Sequence, residues 1–209
     1  MMRSGNPALN KKTFDSFVTT DSNVMTIDGT VNKTAISMGI LLLAAYYTYS
    51  NAIMSYVLVG FIGGFILALI TIFKKEWAPT TVPIYALLEG LALGGVSNIY
   101  ATAFEPGIVP RAIMLTLGIL FALLFAYKSK MIKATENFKL GVFAATAGIG
   151  VVYLISFLMS VFGGGGISIM NPANFSMLSV GFSLFVVVIA SLNLVMDFDF
   201  IEEGAANGV

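Results

Sequence analysis

An all-α bundle of membrane-spanning helices is the fold class this sequence predicts, and three observations predict it. The chain of 209 residues is 57% hydrophobic and only 11% charged, where a soluble domain carries about 25% charged residues. Its mean hydropathy is +0.90. The apolar residues fall in six continuous runs of helix length, a pattern that the alternating strands of a membrane barrel would not produce.

Residues 1–30 are polar and mixed, without a sustained period, and read as a tail. Phe14–Val18 and Met25–Ile27 are the parts of it that could rest on a membrane surface. Six spans follow, at 31–49, 54–73, 82–104, 109–127, 140–162 and 175–197. Each is near the ~20 residues that cross ~30 Å of hydrocarbon. The first run is span-length and has no short apolar core with a cleavage site before it, so it reads as a retained span. Residues 198–209 form a short acidic segment after the last span. Gly60-xxx-Gly64, Gly90-xxx-Gly94 and Ala144-xxx-Gly148 offer close approach between helices. The run Gly163–Gly166 reads as an outer spacer.

Charge sets the orientation. Ten of the eleven basic residues fall on one side of the predicted spans: Arg3, Lys11, Lys12, Lys33, Lys74, Lys75, Lys128, Lys130, Lys133 and Lys139. Only Arg111 falls on the other. The positive-inside rule then makes the N-terminus cytoplasmic, and with it the acidic segment. The formal net charge is zero, so no global field favours nucleic acid. The lipid bilayer is the partner that the composition requires.

Cysteine and histidine are both absent. Disulfides, thiol catalysis, imidazole or thiolate zinc sites and haem ligation by these residues are excluded. Without histidine, any proton switch has to use carboxylates. No HExxH, GxSxG or Walker-type motif occurs, nor the paired YD and GxGD of intramembrane aspartyl proteases. The chain reads as a non-enzyme, with no resident cofactor and no firm metal site.

Two places carry ionisable groups where a membrane protein rarely keeps them. Glu89 is the one acid well inside a predicted span, about seven residues past its start and so roughly 10 Å deep. The functional reading is a polar group on an ion or proton path. The plain alternative is a side chain that bonds a neighbouring helix. On the sixth span, Ser176, Ser179, Ser183, Ala190, Asn193 and Asp197 recur at helical steps and form one polar face. That face ends at Asp197, a candidate proton sensor and a candidate for transient Ca2+ contact. Asp199 lies about 200° away around a helix of about 100° per residue. It is therefore a secondary acidic residue, and with Glu202 and Glu203 it reads as a solvated end. Lys33 opens the first span on the same side, as a candidate charge partner for Glu89 or Asp197.

Four blocks resemble one family. They are MRSGNPAL at Met2–Leu9, MTIDGTVNKT at Met25–Thr34, PIYALLEGLALGGVS at Pro83–Ser97 and LVMDFDFIEEG at Leu194–Gly204. Together they cover nearly the whole chain, and they resemble the bacterial branch of the Bax inhibitor-1/YccA-like family. The resemblance implies seven membrane helices, the last of them central. It also implies a pH-sensitive calcium leak channel, in which two acids on the last two helices act as proton sensor and latch. The first acid of that pair maps onto Asp197. The sequence stops at Val209, where the family continues into its seventh helix. The expectation is a truncated chain that lacks the partner acid.

Passive cation leak, with Ca2+ as a permeant ion, is thus the leading expectation, in a bacterial plasma membrane. The resemblance also implies a second class of function. In that class the protein transports nothing and modulates a membrane protease complex or a stress or cell-death response.

Overall fold

The structure, a computed structural model, describes residues 25–105, 107–132, 134–163, 165–171 and 175–206. The tail through residue 24, including Phe14–Val18 and the first of the four family blocks, lies outside the described residues, as does Lys133. Six long helices make up the described residues: α1 (Ile27–Asn51), α2 (Ser55–Phe73), α3 (Ala78–Ala103), α4 (Ile108–Lys128), α5 (Glu136–Val161) and α6 (Met177–Ala206). Short 3-10 turns at Lys75–Trp77 and Ser168–Met170 accompany them, and no strand occurs among the described residues. The all-α expectation holds.

Five of the six helices, α2 to α6, are long and apolar enough to cross a membrane. The exception is α1, which has the length but a more polar composition. Asn32, Lys33 and Thr34 dilute its first half, and the run Tyr46 to Asn51 (YYTYSN) dilutes its end. It also begins earlier than its apolar run, because Thr26 caps it: the Thr26 hydroxyl accepts from the Gly29 N–H at 3.0 Å. That bond satisfies one of the orphan donors of the first turn.

Two groups of helices follow from the contacts within the chain, and the divisions between them fall inside α4, after Gly118, and near the end of α6, after Glu203. In the group up to residue 118, α3 packs against both α1 and α2. Glycines make this possible. A Cβ added at Gly90 would run into the Leu41 carbonyl oxygen of α1, and one at Gly94 into the Ala45 carbonyl oxygen. On the α2 side, a Cβ at Gly60 would sit 2.5 Å from the Leu88 oxygen and 2.7 Å from the Ala92 nitrogen. The helix backbones therefore touch directly, the arrangement that small-xxx-small spacings permit. Polar bonds add to it: Asn98 Nδ2 donates to the Tyr49 carbonyl at 3.1 Å, and the Thr71 and Thr81 hydroxyls lie 2.7 Å apart.

In the group from residue 119 to 203, side-chain polar contacts join parts of α4, α5 and α6. The third small-residue spacing does not make a close approach here, since a Cβ at Gly148 would meet nothing within 4 Å. The glycine-rich spacer is more tied down than its composition predicts. Ile167 N–H donates to the Ser156 hydroxyl at 3.0 Å, and the Ser179 hydroxyl donates to the Ile169 carbonyl at 2.9 Å. These two bonds hold the residue before the 3-10 turn to α5 and the middle of the turn to α6.

Candidate functional site

The last helix does not stop at Asp197. It continues through Asp199, Glu202 and Glu203 to Ala206, so its four acids sit on regular helical positions. Leaving a helix leaves carbonyls unpaired, and nothing in the sequence from Asp197 to Ala206 forces that exit: there is no proline, and Gly204 is followed by two alanines.

Asn193 and Asp197, two members of the predicted polar face, lie in the second half of this helix. Asn193 Nδ2 donates to the Thr146 hydroxyl of α5 at 2.8 Å and to the Ile189 carbonyl of its own helix at 2.9 Å. One turn further, Asp197 is half-buried. Val195, Met196 and Phe200, on the flanking faces, are buried.

Asp199 is the correction. Its predicted role as part of a solvated end does not hold, because the Lys139 ammonium of α5 lies 2.6 Å from its Oδ2. The Lys139 side chain is only 10% exposed and that of Asp199 26%. A pair this far out of water depends on good geometry to offset desolvation. Glu136 supplies a second, longer contact to the same ammonium at 3.8 Å. Thr135 sets the start of α5: its hydroxyl accepts from the Phe138 N–H at 3.3 Å, and its carbonyl accepts from the Lys139 N–H at 2.9 Å. Thr135→Ala should therefore cost about 1 kcal/mol of stability, read as a lower midpoint in thermal unfolding.

Tyr127, near the end of α4, closes the arrangement. Its hydroxyl donates to Glu202 Oε2 at 2.5 Å and lies 3.5 Å from Asp199 Oδ1. Its ring stands 5.9 Å from that of Phe198. Tyr127 and Lys139 are the functional candidates that sequence reasoning missed. The signal in the sequence is a tyrosine and a lysine at adjacent helix ends, together with a run of four acids.

Glu89 lies on α3, half-buried, with its Oε2 3.2 Å from the point where a Cβ at Gly64 of α2 would be. The ring of Tyr85, one turn back, borders the same point. The absence of a side chain at Gly64 makes the room for this carboxylate. Lys33 is exposed on the early turns of α1 and forms no ion pair among the described residues, with Glu89 or otherwise. Its position near the start of α1, against a Glu89 midway along α3, accounts for that. Glu89 belongs to the first helix group, and Asn193, Asp197 and Asp199 to the second. Among the described residues no three acids gather in a way that could hold a metal ion.

Curated proteins and solved structures contain no significant match to the chain. A family model described as Bax inhibitor 1 like matches residues 6–209. That span takes in all six helices, the α3 block that carries Glu89 and the acidic end of α6. The chain is therefore a multi-pass helical membrane protein that belongs to the Bax inhibitor 1 like family.

Proposed function

We propose that the protein is a passive cation leak, with Ca2+ among its permeant ions, and that protonation of Asp197 regulates it. One observation carries this reading: α6 stays helical past Asp197, and Asn193, one turn earlier, is anchored to Thr146. Asp197 therefore ends a polar face on a fixed helix instead of trailing into a loop. A carboxylate held there attracts a cation when charged and releases that hold when neutral, so flux responds to pH. The chain supplies no histidine that could take over the proton. The orientation that goes with this reading puts the N-terminus and the acidic end of α6 in the cytoplasm of a bacterial cell, as the lysine distribution favours.

Vesicles containing the purified protein and a Ca2+-sensitive dye test it. The wild type should leak Ca2+ at a rate that changes as pH falls through the range in which carboxylates take up protons. Asp197→Asn, neutral at every pH, should flatten that profile. An unaltered profile in Asp197→Asn overturns the role of Asp197, and vesicles with no leak above protein-free controls overturn the transport reading.

A second reading, an interaction protein that moves no ion, is favoured by α4. None of its residues is buried, and Met114, Leu115, Phe121 and Phe125 are broadly exposed along it. A membrane-protein partner, such as a protease complex, that co-purifies equally with wild type and Asp197→Asn would support it.

A further inference from the structure

Lys139 has two properties that seldom go together at the end of a membrane helix: a nearly buried ammonium and a surplus of acids around it. Asp199 is in contact at 2.6 Å and Glu136 at 3.8 Å, and Glu203 adds to the negative charge. Asp197 and Glu202 share the same turns of α6. On the far side of Asp199 stands the Tyr127 hydroxyl, bound to Glu202. The chain of polar contacts thus runs from α4 through α6 to α5 without a break, and each oxygen of Asp199 faces a different helix. A lysine head group is a compact, three-donor point charge on a flexible stem. Held here, it fills the position that a mobile cation attracted by these acids would otherwise enter.

We propose that Lys139 is a tethered counter-cation. Together with Tyr127 it locks the last turns of α6 to α4 and α5, and it bars permeating cations from the acidic end of α6. The locking role stands on the geometry alone; the barring role rests on the cation-leak reading above. Lysine suits the task because its stem lets the charge withdraw without a helix having to move. A carboxylate cluster freed of that ammonium keeps its field but loses its plug. The basic residues nearby in sequence, Lys128 in the last turn of α4 and Lys130 just after it, are exposed and form no ion pair among the described residues.

Two measurements on the whole protein test the proposal separately. Hydrogen exchange in lipid nanodiscs, read over residues 136–142 and 196–206, reports the lock whether or not any ion moves. Lys139→Gln should speed exchange there by about tenfold or more, as the loss of a charged hydrogen bond implies. Tyr127→Phe should do so to a smaller degree. Lys139→Arg, which keeps the charge, should stay close to wild type, and so should the exchanged pair Lys139→Asp with Asp199→Lys. Unchanged exchange in both Lys139→Gln and Tyr127→Phe overturns the lock, as does equal acceleration in Lys139→Arg.

Vesicle leak reports the plug. At neutral pH, Lys139→Gln should leak several times faster than wild type, with Lys139→Arg near wild type. A wild type that leaks and a Lys139→Gln that leaks no faster overturns the plug. A wild type that does not leak at all overturns the transport reading and the plug with it, while exchange still decides the lock.

Discussion

Gly94→Ala is expected to be among the most damaging single-methyl changes in the protein. The added Cβ would occupy the space of the Ala45 carbonyl oxygen, with the Ala45 Cα also only 2.8 Å away. These are backbone atoms of a facing helix, so no rotamer change can relieve the clash, and α1 has to move away from α3. Overpacking of this kind costs about 2–3 kcal/mol. Separation of the helices also weakens the Asn98–Tyr49 bond one turn further on. Gly90→Ala should behave similarly, because its Cβ would meet Leu41 O and lie 2.8 Å from the Ala44 Cβ. Gly39→Ala is the matched control. It lies on α1 with nothing within 4 Å of the new atom, and alanine is the better helix former by up to about 1 kcal/mol. Denaturation in mixed micelles, followed through the single tryptophan, Trp77, should rank the three as Gly39→Ala above wild type and both others well below it. Equal stability of Gly94→Ala and wild type would contradict the direct backbone packing of α1 on α3.

The second large effect is expected from Asp199→Ala. The substitution removes the closest partner of the Lys139 ammonium, 10% exposed, and leaves it the longer Glu136 contact at 3.8 Å and the charge of Glu203. Removal of one member of a buried pair costs about 3 kcal/mol or more, chiefly because the remaining charge has lost its compensation. Lys139→Met in the same chain removes that charge and leaves an apolar side chain of similar length. The double variant Asp199→Ala with Lys139→Met should therefore regain most of what Asp199→Ala loses. The two changes should be far from additive in a double-mutant cycle of unfolding free energies. Additivity within a few tenths of a kcal/mol would show that the two groups are not coupled.

How much of this was legible in the sequence depended on the distance over which a residue's role is decided. Apolar runs and their lengths are local, and five of them became helices fit to span a membrane. The first run became a long helix too, but one whose tyrosine-rich end lowers its hydropathy. Gly60, Gly90 and Gly94 could be picked out by spacing because close packing leaves a local signature. Gly148 carries the same signature without the packing, since spacing names a helix face and not what lies opposite it. Periodicity puts Asn193 on a face with other polar residues, but its partner Thr146 cannot be read from periodicity. Asp199 was misjudged for two physical reasons. Its angular position takes it off the Asp197 face, and the apolar run ends before it although α6 continues to Ala206. Its pairing with Lys139 depends on two distant helix ends meeting, and no local pattern records that.

The ion pair also has a history within each molecule. Ribosomes deliver α5 before α6, so Lys139 enters the membrane surface with no Asp199 yet made. In the orientation proposed above, its positive charge is free during that interval to help anchor the loop between α4 and α5 on the cytoplasmic side. Once α6 arrives, the same charge is consumed by Asp199 and withdrawn from water. One lysine is thus first an address for insertion and afterwards a part of the finished bundle. A chain interrupted between the two events keeps an address it can no longer retire.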